Sequence, residues 1–379
     1  MKIYYLSGTA IPSRAASTLH VMKMARAFER LGHQITVLAI SNNHEDMDPF
    51  LFYGMDRSFD LVRFHPLNLS HGLGYYFSVR CLLYCAKHGL PDAFYGRHSQ
   101  ALMAASLTKR PVAYEAHGLF PFKGSRRVES LLYKRPNFQG LVTITKALAE
   151  DYVTALPWLG SINQWVIPDA ADIPEKLETV ADPWPGRPGV PQIGYVGHLY
   201  KGRGMEVVTA LAQSLGEYDF HIVGGRDIEI ERWKKACKAP NLFFHGFVQN
   251  HLLNEYLNMF HLALLPYQFK VMLADDVKDT GRWMSPLKAF EYMSYGLPII
   301  SSDIPVLREI FEHERNALLV DPRDITAWER AIKRLLKDKS LRMRLGDTAR
   351  TTFLQKYTWE QRAQKIVDIL EGVRTPWQY

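Results

Sequence analysis

The sequence predicts an α/β protein made of two doubly wound domains of similar size, facing each other across a cleft. Three observations lead there. Short β-rich runs alternate with amphipathic helical stretches along the whole chain, the pattern of parallel sheets with right-handed crossovers. The alternation breaks once, between Asp182 and Pro191, where four prolines and two glycines fall within ten residues, and then restarts. A chain of 379 residues, 47% of them apolar, is long enough for two cores at roughly 150 residues per domain. The boundaries are drawn accordingly: a first domain at 1–181, a linker at 182–191, a second domain at 192–355 and a C-terminal helical segment at 356–379.

The elements follow in order. Ile3–Ser7 reads as the first strand, followed by a loop holding Pro12. A helix from Ser17 to Leu31 places Val21, Met24, Ala25, Phe28 and Leu31 on one face, with Ser17 as its N-cap and Gly32 as its stop. Strands at Ile35–Ala39, Leu61–His65, Ala93–Tyr95, Val112–Glu115 and Leu141–Thr145 continue the first set. Beyond the linker come strand Ile193–Val196, a helix near Gly204–Leu215, and strands Phe220–Val223, Leu242–His245 and Leu262–Leu265. A helix from Pro286, strands Pro298–Ser301 and Leu318–Val320, and three closing helices complete the chain. Both halves therefore read as Rossmann-like, and open parallel sheets bind ligands at the carboxyl ends of their strands.

A formal charge of +7 and a pI near 9.1 favour an anionic partner: a nucleotide diphosphate, an acidic lipid surface or nucleic acid. Nucleic acid is set aside because the basic residues are scattered over both halves. The apolar run at Met1–Gly8 is too short for a signal peptide, and no stretch reaches the ~18 apolar residues of a membrane span. Arg80 interrupts the longest candidate, Tyr75–Ala86. Cys81, Cys85 and Cys237 have no metal-ligand spacing and cannot all pair, so a reducing cytoplasmic setting is expected.

The most informative stretch is Ser285–Pro298. Ser285 can cap a helix whose first residue is Pro286, leaving the amides of Leu287 and Lys288 at a positive helix end suited to phosphate. Lys288 adds a mobile cation. Glu291, one turn on, can accept from two sugar hydroxyls; a plain capped surface helix would look the same. Gly197 to Glu206 follows a strand and opens a helix, with glycines that let backbone approach a phosphate and with Lys201 and Arg203 as cations. It lacks the fixed spacing of a P-loop.

In the first half, His117 follows a strand and can donate to a hydroxyl or polarise a leaving group, unless it is an ordinary loop histidine. His20, on the first turn of the first helix, lies near the same mouth, whereas His33 sits at a helix-to-strand turn and reads as structural. Basic and apolar residues mix in Phe120–Arg135, which suits an anionic membrane surface or a lipid-phosphate acceptor as well as a plain solvated helix.

Together and in this order, these pieces resemble the family-4 retaining glycosyltransferases of the GT-B fold over essentially the whole chain. Ser285–Pro298, continued by Ile299-Ile300-Ser301-Ser302-Asp303, is similar to that family's nucleotide-sugar signature. Leu31–Val37, Val166–Asp172, His221–Gly225 and Phe244–Val248 support it as an ordered set. The resemblance implies that Glu291 holds the donor ribose, Arg203 the diphosphate with Lys201 behind it, and Val248 the base through backbone. It also implies that Gly197 and Ala16 stand at the phosphate loops, that His117 lies next to the transferred sugar, and that the C-terminal helix returns to the first domain. Three positions depart from the family pattern. Trp283 stands where the first Glu of a Glu-x7-Glu pair is usual, Ala15-Ala16 replaces a Gly-Gly pair, and His198 replaces an Arg.

The implied activity is a retaining transfer of sugar from a nucleotide diphosphate sugar to an acceptor hydroxyl, saccharide or lipid-linked, in cell-envelope polysaccharide or glycolipid assembly. No cofactor and no metal are expected, since cations and helix amides take the leaving-group charge. The expected location is the cytoplasm, with peripheral contact on the inner face of an anionic membrane. The competing readings are a nucleotide-sugar 2-epimerase, a sugar phosphorylase, or a non-catalytic nucleotide-binding regulator.

Overall fold

The computed structural model describes residues 1–42, 47–66, 72–122, 124–174, 184–273 and 279–373. They form two compact units: Met1–Asp169 together with the chain from Trp359 onward, and Ala170–Thr358. The chain passes between units at Asp169–Ala170, earlier than the 182–191 linker drawn from the sequence. Side-chain anchoring is the reason. Trp184 stacks on His221 at 4.2 Å and donates to Gln192 Oε1, while Arg187 Nε reaches Asp219 Oδ1 at 2.8 Å. The described part of the proline-rich stretch is thus fastened to the second unit. Asp182 and Pro183 lie outside the described residues.

The first unit runs β1 (Lys2–Ile11), α1 (Ala16–Arg30), β2 (Gln34–Ser41), α2 (Pro49–Phe52), β3 (Asp60–Phe64), α3 (Leu73–His88), β4 (Ala93–Gly96), α4 (Ser99–Ala105), β5 (Val112–Ala116), α5 (Ser125–Tyr133), β6 (Phe138–Thr143), α6 (Lys146–Ala155) and β7 (Gln164–Val166). Its sheet is parallel with order β3-β2-β1-β4-β5-β6-β7. Ile3, Tyr4, Tyr5 and Leu6 are all buried, as expected for a central strand covered on both faces. Cys81 and Cys85 pack inward on α3, and the His33 ring lies 3.1 Å from the N-terminal amine, at the amino ends of β1 and β2 and so away from the carboxyl ends of the strands.

Helix α1 begins one residue before the expected Ser17 cap. Ala15 occupies the cap position without a side-chain bond, and the Thr18 hydroxyl donates to the Ala15 carbonyl at 2.8 Å. Gly32 does end the helix, with φ +83 and its amide on the Glu29 carbonyl.

The second unit runs β8 (Gln192–Val196), α7 (Met205–Ser214), β9 (Asp219–Val223), α8 (Asp227–Ala236), β10 (Leu242–Gly246), α9 (Asn254–Leu257), β11 (Leu262–Leu265), α10 (Leu287–Ser294), β12 (Ile299–Ser302), β13 (Leu318–Val320), α11 (Ile325–Lys337) and α12 (Lys339–Lys356). Its parallel order, β10-β9-β8-β11-β12-β13, repeats that of the first six strands of the other sheet. Each order reverses direction at one point, between β1 and β4 and between β8 and β11, which is where such sheets bind ligands. The last helix, α13 (Trp359–Leu370), belongs to the first unit. No helix among the described residues is long and apolar enough to cross a membrane.

Candidate active site

In the second unit the candidate residues gather around the carboxyl ends of β8 and β11. The Tyr292 hydroxyl accepts from the Val196 amide at 2.7 Å, which pins α10 against the end of β8. That contact brings the turn beginning at Gly197 beside the start of α10. The helix itself starts at Leu287, with Pro286 at the cap position and no side-chain cap. Ser285 is therefore not the N-cap: Pro286 has extended rather than helical backbone, with ψ 119, so the helix starts one residue late. Leu287 and Ser285 are both buried, and the amides of Leu287 and Lys288 occupy the first two helical positions.

The Glu291 carboxylate is engaged on both oxygens. Asn250 Nδ2 donates to Oε1 at 2.7 Å and Lys288 Nζ to Oε2 at 2.5 Å. Asn250 follows β10, two residues beyond Val248, which is itself partly buried against the core. Sequence reasoning missed Asn250, although its place just after the Phe244–Val248 segment was a usable signal.

Arg203 lies on the turn between β8 and α7. Its guanidinium stacks 5.1 Å from the Tyr267 ring, and its Nε is buried with no hydrogen-bond partner among the described residues. Burial first, then the charges of Arg203 and Lys288, push His198 down to about 4. One imidazole thus senses both cations, which are 85 positions apart in the chain by their numbering, 288 − 203. His198 is neutral and stacks on Tyr200 at 4.7 Å, so it does not supply the cation that an Arg would. Lys201 is exposed, and its carbonyl accepts from the Met272 amide.

Two glycines of this turn also have a packing task. A Cβ on Gly202 would stand 1.8 Å from the Lys270 carbonyl oxygen, and one on Gly204 2.0 Å from that of Pro266. Both have positive φ, so they let the turn dock on the chain leaving β11. Gly197 adopts φ +155 beside the Tyr195 hydroxyl, which donates to the His198 carbonyl at 2.7 Å.

In the first unit, His117 follows β5 and belongs to a buried ionic cluster. Its Nε2 hydrogen-bonds Glu115 Oε1. His20 lies between Asp169 Oδ1, 2.8 Å from Nδ1, and Glu115 Oε1, 2.9 Å from Nε2 but without hydrogen-bond alignment. Arg362, from α13, reaches Glu115 Oε2 at 2.8 Å and the Pro168 carbonyl at 2.9 Å. Burial raises Glu115, but Arg362, His20 and His117 outweigh it and hold the carboxyl well below its usual range. Burial, and next the charge of Arg97, push His117 down to about 4.

His20, Glu115 and His117 are close enough together to surround an ion. Arg362 already neutralises the one carboxylate they share, so the donor set fits a proton-ordered cluster better than a divalent cation. Ala16 opens α1 and is exposed.

The Phe120–Arg135 stretch contains α5, and Lys123 lies outside the described residues. Arg126 donates to the Ala155 carbonyl and Lys134 covers the Trp158 ring, while Leu131 is 52% exposed. Part of its basic character is therefore taken up by the fold.

Residues 190–338 match the family described as Glycosyl transferases group 1. An uncharacterized glycosyltransferase of Methanocaldococcus jannaschii is 32% identical over 184 residues, 46% of this chain and 43% of its own length. A D-inositol 3-phosphate glycosyltransferase of Corynebacterium urealyticum is 29% identical over 89 residues, 24% of this chain and 21% of its own. The chain thus spans less than half the length of these curated relatives.

Among solved structures, sucrose-phosphate synthase from Thermosynechococcus elongatus superposes with TM-score 0.74 at 17% identity, over 98% of each chain. The Anabaena protein HepE, in complex with UDP and glucose, gives 0.72 at 15% identity, over 98% of this chain and 99% of its own. Residues 190–338 accordingly match the Glycosyl transferases group 1 family, and the two sheets have the fold of GT-B glycosyltransferases.

Proposed function

We propose that the protein is a retaining glycosyltransferase that moves a sugar from a nucleotide diphosphate sugar to an acceptor hydroxyl. The observation that carries this reading is the gathering of Arg203, Lys288 and Glu291 at the switch point of the second sheet. As the sugar leaves, negative charge grows on the diphosphate. Arg203, Lys288, the first amides of α10 and the exposed Lys201 supply preorganised positive charge there, so no metal is required. Glu291, already oriented by Asn250, takes the ribose hydroxyls, and the base lies along backbone near Val248.

A uridine nucleotide is the first donor to test, because the Anabaena neighbour is described with UDP and glucose. Retention, the role of His117 beside the transferred sugar, and work in cell-envelope polysaccharide or glycolipid assembly rest on the resemblance of Ser285–Pro298 and its companion segments. A saccharide or lipid-linked acceptor, and peripheral contact with an anionic membrane, belong to the same proposal.

The test is a panel of nucleotide sugars screened for thermal protection and for turnover with a chelator present, followed by NMR of the product anomer. Acceptor-dependent release of nucleoside diphosphate with retained configuration is expected. Conversion of donor without acceptor, dependence on inorganic phosphate, or binding with no turnover would each replace this reading.

A further inference from the structure

Glu115 divides its oxygens between two sets of partners. Oε2 receives the Tyr95 hydroxyl and the Arg362 guanidinium, while Oε1 faces His117 Nε2 and His20 Nε2. An ionised carboxylate accepts hydrogen bonds and donates none, so the imidazole nitrogen that meets it carries the hydrogen. A neutral ring has one N–H, which leaves a lone pair on Nδ1. His117 Nδ1 has no hydrogen-bond partner among the described residues. The His117 side chain is 20% exposed, against 2% for His20, 0% for Glu115, 10% for Asp169 and 1% for Arg362. Within the cluster, His117 is thus the member that meets the outside, and Nδ1 is its ring nitrogen left unengaged among the described residues. Besides Glu115, the charged groups that act on this ring are Arg97 and Asp169.

We propose that Glu115 is a positioning residue that fixes His117 as the Nε2–H tautomer, anchored by Arg362, so that the ring presents an acceptor to a substrate hydroxyl. The substrate half of this proposal rests on the glycosyltransferase reading; the tautomer half does not. It reverses the expected role of His117, which accepts from a hydroxyl through Nδ1 rather than donating to it. It also gives α13 a task at a distance: Arg362 is 247 positions from Glu115, 362 − 115, and holds the carboxylate in its working rotamer.

The deciding experiment is ¹⁵N NMR of the imidazoles, with His117 assigned by the loss of its signals in His117→Gln. At neutral pH the wild-type ring is expected to show a protonated Nε2 and a bare Nδ1. In Glu115→Gln the amide oxygen turns to Arg362 and Tyr95, which are donors, and the amide NH₂ turns to His117. The imidazole proton should then move to Nδ1. Arg362→Lys, a milder change, should give a mixture of the two forms.

A proton on Nδ1 in the wild type overturns the proposal, even if Glu115→Gln fails to fold, and so does a tautomer indifferent to both substitutions. With substrate, Glu115→Gln should lower kcat at least tenfold and leave donor KM within about twofold. Equal loss in both parameters overturns the substrate half. A wild type with the expected tautomer but no sugar transfer would also remove the substrate half, and it would count against the transferase reading while the tautomer half stands.

Discussion

Lys288 Nζ stands 2.5 Å from Glu291 Oε2, one helical turn away, while Asn250 holds the other oxygen at 2.7 Å. Both side chains are partly buried, at 19% and 12% exposure, so the pair is sheltered from bulk solvent. The carboxylate keeps the cation close, and its remaining lone pairs stay available to further donors. Lys288 itself lies in the first turn of α10, a helix end that favours anions.

Glu291→Ala is therefore expected to weaken donor binding. Charge-assisted hydrogen bonds contribute about 1.5–3 kcal/mol each, so a donor Kd or KM about 10- to 100-fold higher follows if one is lost. Isothermal titration with nucleotide sugar and with free nucleoside diphosphate checks it. Unchanged affinity for both would mean that the ribose is held elsewhere.

Arg203 should appear in kcat. Its Nε is buried without a partner among the described residues and its guanidinium is fixed against Tyr267, so it is organised before the reaction begins. Removing one preorganised group of this kind typically costs roughly 10²–10³ in kcat. Arg203→Ala is expected in that range, and Arg203→Lys should recover only part, since an ammonium lacks the planar face that stacks on Tyr267. Lys201→Ala, at an exposed position, should change kcat less. Steady-state kinetics on the three variants would reject the assignment if Lys201 mattered more than Arg203.

How far the chain could be read in advance depended on the range of the signal. The paired sheets, Gly32 as a helix stop and the start of α10 near Pro286 are written in local periodicity and turn chemistry. Local patterns also misled: Ser17 and Ser285 both looked like caps, yet Ala15 and the extended Pro286 took those positions. Asn250 and Glu291 are 41 residues apart, and no window over either one shows that they meet. The partnership of Glu115 with Arg362 is longer-ranged still, because it exists only once α13 has joined the first unit. Arg187 and Trp184 carried the same kind of hidden information: their long-range contacts move the unit boundary away from the proline-rich stretch.

Two glycines with the same backbone twist should respond differently to alanine. Gly32 has φ +83 and open space around the added carbon, whereas Gly204 has φ +87 and the Pro266 carbonyl oxygen 2.0 Å from it. Gly32→Ala should lose only the conformational cost of a left-handed residue, about 1–2 kcal/mol. Gly204→Ala adds a steric conflict with backbone and should lose more, and it should displace the Arg203 turn and so lower activity. Urea unfolding of both variants, with kinetics on each, tests the contrast; equal losses would mean that the turn yields freely.

The buried Glu129 makes stability depend on pH in a direction that can be worked out. Its carboxylate is 0% exposed and accepts from Tyr152 at 2.8 Å, Tyr133 at 2.9 Å and Tyr114 at 3.4 Å. Burial pushes it up to about 7 despite those three donors. Between about 4.5 and about 7 the folded chain keeps a proton that the unfolded chain has released. Its contribution is therefore complete below that window and is lost as pH rises through it. At ~1.4 kcal/mol per pH unit the loss is of order 3 kcal/mol. Glu129→Gln mimics the protonated acid and should remove this dependence. The histidines that burial pushes down, among them His98, His117, His198, His221 and His245, are common to both chains and cancel in the comparison. Urea unfolding at pH 5 and pH 8 should therefore find the variant gaining on the wild type by about 2–3 kcal/mol as pH rises. A gap that stays constant, or moves the other way, would mean that the three tyrosines stabilise the charged form enough to cancel the effect of burial.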